Sequence, residues 1–157
     1  MQTITRLARA QDLYDINHFI DEMKSEFESL WKCFSDKPVD YSKFQVPGLN
    51  TINPEEIDFN SETIFITRYK NKRKIIALGS LNSQKEIKLS VSYENRRYGI
   101  GTILYTQIEN HAKEEGLDKI NFSHREVDLQ AKYFILSLGA ECISRTNDHF
   151  FYERKID

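Results

Sequence analysis

The chain has 157 residues, which fits one domain of ordinary size and leaves little room for a second. Hydrophobic residues make up 39% of it and aromatic residues 12%, which is enough for a core and excludes a disordered chain. With 22 Lys+Arg against 24 Asp+Glu, the net charge is -2, which argues against a protein whose main partner is nucleic acid or an anionic membrane.

Targeting signals and cysteine chemistry are not evident in the sequence. The first residues lack the apolar stretch of a signal peptide, and no run approaches the ~18 apolar residues of a membrane span. Cys33 and Cys142 are isolated, without CxxC spacing or a nearby pair of histidines, and are interpreted as buried or incidental thiols. The sequence therefore predicts a soluble, cytoplasmic protein with no metal site.

The first third of the chain predicts a strand, a helix and an irregular segment. Residues 3–8 form the strand, and the prolines and Gly48 that cluster within 38–54 mark the irregular surface segment. Between them, apolar residues recur at three- and four-residue intervals, which predicts an amphipathic helix in one piece or two. These residues are Leu13, Ile16, Phe19, Ile20, Met23, Phe27, Leu30 and Trp31.

The rest of the chain alternates between strand and helix patterns. Strands are predicted by β-rich or alternating runs over 63–69, 74–78, 86–93, 119–124, 141–145 and 150–155. Helices are predicted from about 102 to 115 and from 127 to 138, ending at Gly116 and Gly139. The basic run at 68–74 is interpreted as a solvated hairpin tip. Together these elements predict a single mixed α/β domain.

The motif that carries chemistry is the glycine-containing turn Arg96-Arg97-Tyr98-Gly99-Ile100-Gly101, between a strand and a helix. A helix N-terminus presents unpaired backbone N–H groups and a positive dipole end, so it binds phosphate oxygens readily. Glycine there lets a pyrophosphate approach the backbone, and arginine forks match phosphate geometry. A tight turn with two solvated arginines explains the glycines equally well, so the motif alone leaves both interpretations open.

The same turn resembles the acetyl-CoA signature of the GNAT superfamily of N-acetyltransferases. The family pattern Arg/Gln-x-x-Gly-x-Gly/Ala matches Arg96, Gly99 and Gly101. Downstream, Asp128-x-x-Ala131-x-x-Phe134, followed by Gly139-Ala140, is similar to the family's Asn-x-x-Ala-x-x-Leu-Tyr and Gly-Phe segment. The opening residues 4–13 resemble the family's first strand and helix start, so the resemblance covers nearly the whole chain in order.

The resemblance implies an α/β (α+β mixed) fold with a central mixed, mostly antiparallel sheet flanked by helices. The sheet would be splayed between strands 86–93 and 119–124, and acetyl-CoA would lie in that gap as the cosubstrate. Its pyrophosphate would bind backbone N–H groups of residues 97–102, and its pantetheine arm would bind the strand backbone at Leu89 and Val91. The implied cofactor-binding residues are Leu89, Val91, Arg96, Arg97, Tyr98, Gly99, Ile100, Gly101, Thr102 and Asp128.

Two residues are candidates for the base that deprotonates an attacking amine. Glu86 stands where many family members carry a catalytic glutamate, although an exposed strand-end carboxylate is the alternative. His124 ends the opposite strand, and histidine as a residue type is suited to proton transfer near neutral pH, although a structural histidine is the alternative. The family's usual tyrosine acid aligns with Ile135, which cannot donate a proton, and Tyr133 lies about 200° around the helix from it.

The predicted function is transfer of an acetyl group from acetyl-CoA to a primary amine of a small molecule or peptide. A non-catalytic acyl-CoA-binding or regulatory module is the alternative, because Ile135 and Asp128 depart from the family pattern. A phosphate- or nucleotide-binding protein that shares only the loop is a third possibility. Trp31, Phe34 and Tyr41 are candidates for the lining of an acceptor pocket. No nucleic-acid or membrane partner is expected, and the chain is predicted to be a monomer or a homodimer.

Overall fold

The structure, a computed structural model, describes residues 2–46, 49, 53–60 and 62–157. The placement of Gly48 in the irregular segment lies outside these residues. Within the described part of that segment, the chain forms two short 3-10 turns, Tyr41–Lys43 and Pro54–Glu56. Among the described residues, no helix is both long enough and apolar enough to cross a membrane.

The first half of the chain builds an antiparallel sheet of four strands in the order β1-β2-β3-β4. The alternating and β-rich runs of the sequence account for these strands, because they place apolar side chains on the buried faces of the pleat. The strands are β1 Thr3–Leu7, β2 Thr63–Tyr69, β3 Ile75–Leu81 and β4 Ile87–Val91. The predicted β2–β3 hairpin is confirmed, and β4 ends two residues earlier than expected.

A single helix, α1 (Leu13–Phe34), covers one face of this sheet. It is one continuous helix of 22 residues, so the alternative of two pieces does not apply. Its buried residues Ile16, Phe19, Ile20 and Met23 share the helical period of the apolar stripe. They pack on the strand residues Ile64, Ile66, Ile75 and Leu78. Each buried side chain of this size contributes about 1.5–3 kcal/mol to folding, before entropy is subtracted.

The basic run 68–74, which begins in the last residues of β2, is not simply solvated, because several of its cations are paired. Arg68 contacts Asp12 Oδ1 at 2.9 Å and Asp15 Oδ2 at 3.2 Å, and Arg73 Nε lies 3.0 Å from Asp15 Oδ1. Asp12 is only 3% exposed, and it also accepts two hydrogen bonds from Arg6, at 2.7 and 2.8 Å. These ion pairs tie the hairpin and β1 to the start of α1.

Asp12→Asn is expected to lower the free energy of unfolding at neutral pH by roughly 2 kcal/mol, since hydrogen bonds to a charged group are lost. Hydrogen bonds from Arg6 hold the pKa of Asp12 below its usual range. A lowered folded-state pKa stabilises the fold above the unfolded pKa of about 3.9, and this contribution is lost as pH falls through the folded pKa. Denaturant titrations at pH 7 and pH 3 should show a smaller pH dependence in Asp12→Asn; an identical dependence would contradict the assignment.

The second half of the chain adds two helices and a three-stranded antiparallel sheet in the order β5-β7-β6. Its elements are α2 Ile100–Glu114, β5 Lys119–Arg125, α3 Leu129–Ser137, β6 Glu141–Arg145 and β7 His149–Lys155. Within the described residues, the two sheets meet at an isolated parallel bridge between Glu86 and Asn121. Beyond it β4 and β5 are not paired, so the mostly antiparallel, splayed sheet predicted from the resemblance is confirmed.

Helix α2 packs against the opposite face of the first sheet from α1. Gly79 on β3 permits the close approach, because a Cβ atom there would lie 2.8 Å from Ile108 Cδ1 and 2.6 Å from Leu89 Cδ2. Leu104 and Ile108 are fully buried in this second core. Helix α2 thereby packs in one core with Leu89 and Val91 of β4, and it is the next long element after β4 in the chain.

Cys33 and Cys142 are both exposed and free, so of the two interpretations of these thiols, buried or incidental, the buried one does not apply. The starts of two helices were predicted wrongly. Helix α2 begins at Ile100, two residues before the predicted start, and Val127 lies outside α3 with 81% of its surface exposed. The earlier start of α2 matters for function because it places Gly99 at the N-terminal cap.

Candidate active site

The N-terminus of α2 has the properties of an anion-binding site. Gly99 is its N-cap, in the left-handed conformation at φ 79°, and no side chain caps the helix within the described structure. The first turn closes through a hydrogen bond from Ile103 N–H to Gly99 O at 3.1 Å. The preceding N–H groups, at residues 100–102, come too early in the helix to have an intrahelical acceptor. The helix therefore presents unpaired donors at its positive dipole end.

The residues around this cap have different structural roles. Arg97 also has a positive φ, of 67°, and is exposed together with Tyr98 and Thr102. Ile100 is buried at 3% exposure and anchors the first turn in the core. A Cβ at Gly101 would lie 3.5 Å from the Phe134 ring, an ordinary contact distance, so this position faces α3.

Arg96 attaches the loop to the end of β4. Its Nε donates to the Val91 carbonyl oxygen at 3.0 Å, and its guanidinium lies 5.6 Å from the centre of the Tyr93 ring. An arginine is suited to this double contact because its planar fork both donates hydrogen bonds and stacks on aromatic faces. The side chain thus holds the turn between β4 and α2 in place.

The backbone of β4 is open on the side that faces the gap between the sheets. Ser92 N–H donates to Ile76 O, and Glu86 O accepts from Asn82 N–H, so the even-numbered residues bond toward β3. In an antiparallel pair the direction of backbone groups alternates, so those of Leu89 and Val91 point away from β3. Their N–H groups face the divergence from β5, where a ligand can bind them as an added strand would.

Glu86 lies where the two sheets part. Its backbone bridges to Asn121, and its side chain is 21% exposed. Oε2 of the carboxylate accepts a hydrogen bond from Ser123 Oγ at 3.2 Å, while Oε1 lies 3.5 Å from Lys88 Nζ. The side chains of the odd-numbered residues of β4 pack toward α2, so that of Glu86 projects from the other face of the strand.

His124 lies on the opposite face of its strand from Ser123, because successive side chains alternate. It is 5% exposed and stacks on Phe150, with 5.4 Å between ring centres. Its Nδ1 lies 2.7 Å from the Arg125 carbonyl oxygen, which can only accept, so Nδ1 carries the proton and Nε2 accepts from Tyr152 Oη at 2.9 Å. Burial raises the pKa of Tyr152, which keeps its hydroxyl protonated for that bond. The structure does not bring His124 and Glu86 together.

The residues that depart from the family pattern have structural roles. Asp128 caps α3, since its Oδ1 accepts from Ala131 N–H at 3.0 Å. Ile135 is the buried residue of α3 at 4% exposure, whereas Tyr133 is 65% exposed. The side chain at the position of the family's tyrosine is therefore part of the core, whereas the Tyr133 side chain faces solvent.

Of the aromatic residues near the irregular segment, Trp31 and Phe34 belong to the last turn of α1, and Tyr41 is bonded to that helix. Trp31 Nε1 donates to Lys37 O at 3.0 Å, and Tyr41 Oη donates to Glu28 Oε1 at 2.9 Å. Phe34 is 86% exposed. Their place in an acceptor pocket stays a prediction.

Ser123 is the site residue that sequence reasoning missed. Alternation along β5 places Asn121 and Ser123 on the face away from the core residues Ile120 and Phe122, so a polar face could have been inferred. The contact between Ser123 and Glu86 could not have been inferred from the sequence, because it depends on the spacing between the two sheets.

Comparison with known proteins identifies the family. The model of the acetyltransferase (GNAT) family matches residues 20–139, which is more than half of the chain. The chain belongs to the GNAT acetyltransferase family. The prediction made from the glycine motif is thereby confirmed, and the protein is an acyltransferase with acetyl-CoA as its cosubstrate. Family membership favours this enzyme over the non-catalytic acyl-CoA-binding alternative.

Solved structures show the same GNAT fold at low sequence identity. The chain is similar to a GNAT-family acetyltransferase from Staphylococcus aureus Mu50, with 19% identity, a TM-score of 0.71 and coverage of 99% of this chain and 100% of that one. PaiA N-acetyltransferase from Thermoplasma acidophilum, solved in complex with coenzyme A, matches with 14% identity, a TM-score of 0.75 and coverage of 99% and 100%. The ribosomal-protein-S18-alanine N-acetyltransferase from Escherichia coli matches with 14% identity, a TM-score of 0.66 and coverage of 99% and 94%. No curated protein sequence matches the chain.

Proposed function

We propose that the protein transfers the acetyl group of acetyl-CoA to a primary amine of a small molecule or peptide, by direct attack of the amine. The observation that carries this proposal is the continuous path from the uncapped α2 N-terminus, along the open edge of β4, to the carboxylate of Glu86. The path contains an anion site, backbone donors and a base in the order that an acyl-CoA requires.

The pyrophosphate binds the backbone N–H groups of residues 97–102, where the helix dipole and Arg97 add positive potential. The pantetheine arm runs along β4 and bonds the backbone of Leu89 and Val91. One of their N–H groups stabilises the negative charge that develops on the thioester oxygen during attack. Arg96 contributes by fixing the turn, since its Nε is bonded to Val91 O.

Glu86 takes the proton from the attacking amine, directly or through a water molecule. The amine nitrogen forms a bond to the carbonyl carbon, and the carbon–sulfur bond then breaks to release CoA as the thiolate. A thiol has an ordinary pKa near 8.5, so the thiolate leaves without an acid at the position of Ile135. Both ring nitrogens of His124 are bonded within the fold, which favours Glu86 as the base; a catalytic role of His124 stays a prediction.

The acceptor class rests on two supports. A carboxylate at the base position attracts a cationic amine, and one protein of similar fold is named as an N-acetyltransferase of an alanine in a ribosomal protein. A peptide with an N-terminal alanine therefore belongs in the first panel of amines. The cytoplasmic location and the monomeric or homodimeric state stay predictions from the sequence.

Thermal shift and thiol release test the proposal. CoA at 100 times its Kd is expected to stabilise the fold by about 2.7 kcal/mol, and ATP and NAD at the same concentration much less. Release of free thiol from acetyl-CoA should then depend on an added amine from a panel of polyamines, amino acids and N-terminal alanine peptides. An unchanged midpoint with CoA would contradict the binding site, and no turnover across the panel would contradict the amine transfer.

A further inference from the structure

The carboxylate of Glu86 is held by a group on the other side of the gap between the sheets. Ser123 Oγ on β5 donates to Glu86 Oε2 at 3.2 Å, two residues beyond Asn121, which forms the bridge to Glu86. Past this bridge, β4 pairs with β3, and β5 pairs with β7. The hydrogen bond therefore links the two sheets through side chains just where their backbone pairing ends.

Both partners of this hydrogen bond stand on fixed backbone. Ser123 is paired with Phe151 in the middle of the seven-residue β5–β7 ladder, and Glu86 O accepts from Asn82 N–H at 3.0 Å. A glutamate side chain has three rotatable bonds, so its carboxylate needs a side-chain partner to stay in one orientation. Ser123 supplies that partner without adding a charge.

The two carboxylate oxygens consequently have different surroundings. Oε2 is engaged by Ser123, whereas Oε1 faces only the ammonium of Lys88 at 3.5 Å among the described ion pairs and hydrogen bonds. The Lys88 side chain is 42% exposed, and a pair this exposed is weak enough for another ammonium to displace it. Oε1 is thus the oxygen that an amine arriving from solvent can reach.

We propose that Ser123 is a positioning residue, whose hydroxyl holds Oε2 of Glu86 so that Oε1 accepts the proton of the acceptor amine. This inference rests on the proposed function, in which Glu86 is the base. It assigns Ser123 no contact with acetyl-CoA, so its removal should affect the chemical step rather than cosubstrate binding. A displacement of about 1 Å in a catalytic group costs up to 100-fold in rate, so loss of orientation is measurable.

The test compares Ser123→Ala and Ser123→Thr in the wild-type chain, and Ser123→Ala in a Glu86→Gln background. The assay is thiol release from acetyl-CoA with the best amine of the panel. Ser123→Ala is expected to lower kcat about tenfold, since a hydrogen bond to a charged group is lost. The KM for acetyl-CoA should stay within about twofold, and Ser123→Thr should retain the wild-type kcat because its hydroxyl remains. In the Glu86→Gln background Ser123→Ala should have no further effect.

Controls separate this inference from a general loss of stability and from failure of the proposed function. Thr146→Ala removes another hydroxyl-to-carboxylate hydrogen bond, to Asp148 at 3.4 Å in the β6–β7 turn, and should leave kcat unchanged. An unchanged kcat in Ser123→Ala, or the same loss in both backgrounds, overturns the positioning role alone. If Glu86→Gln keeps full activity, the assignment of Glu86 as the base fails and the inference with it, while amine acetylation stands. If no amine is acetylated, the proposed function itself fails.

Discussion

Gly99→Val is expected to weaken CoA binding by at least 100-fold. The N-cap of α2 is in the left-handed conformation, and apart from Gly99 and its two neighbours in the chain, no heavy atom of the described structure lies within 4 Å of the place where a Cβ would stand. In the proposed complex that open space borders the pyrophosphate, so a branched side chain there separates the phosphate oxygens from the N–H groups of the first turn. Isothermal titration with CoA gives the change in Kd.

Gly116→Val is the matched control for this prediction. Gly116 has a φ of 80°, against 79° for Gly99, and a Cβ at either position would meet no neighbour within 4 Å. Both substitutions therefore incur a similar backbone strain of roughly 1–2 kcal/mol or more, but Gly116 lies at the other end of α2. Equal CoA affinity in the two folded variants would show that the strain, and not the site, explains any loss.

Glu86→Gln is expected to lower kcat by 10²–10⁴-fold, the usual range for loss of a positioned base. The amide keeps the size of the side chain and can still accept the hydrogen bond from Ser123, so the fold and the Kd for CoA should change little. Steady-state kinetics with the best amine give kcat, and titration with CoA gives Kd, so an effect on turnover is separated from an effect on binding.

Glu153→Gln is the control for the loss of a glutamate charge. Glu153 Oε2 lies 3.6 Å from Lys119 Nζ, with side-chain exposures of 27% and 46%, close to the 3.5 Å, 21% and 42% of the Glu86–Lys88 pair. The kcat of the Glu153→Gln variant is expected to stay within about twofold of the wild-type value. If Glu86→Gln behaves like Glu153→Gln, and His124→Asn instead abolishes turnover, the base is His124.

Local sequence patterns predicted most elements because each depends on neighbours along the chain. The apolar period of α1 and the alternation in β4 follow from which face of an element is buried. The helix ends near Gly116 and Gly139 could also be predicted, because both residues have the positive φ that favours glycine. The start of α2 was misplaced by two residues because Ile100 begins the helix with no capping side chain to mark it.

The proposed cofactor site has the same local basis in the sequence. A strand end, a turn and a helix start are consecutive in the chain, so Arg96, Gly99 and Gly101 are adjacent in both sequence and space. Their proposed roles differ, however, because Arg96 bonds to Val91 and Gly101 faces Phe134. Those contacts involve residues five and 33 positions away, which the motif does not encode.

The sequence by itself determined the order of strands and helices, the glycine turn before α2 and the absence of a tyrosine at Ile135. Only the tertiary structure decided which polar residues meet. Ser123 and His124 are adjacent in the chain, yet one contacts Glu86 and the other bonds to Tyr152, because neighbouring side chains of a strand point to opposite faces. Which face meets the other sheet depends on long-range pairing of β4 with β3 and of β5 with β7, and no local pattern specifies that pairing.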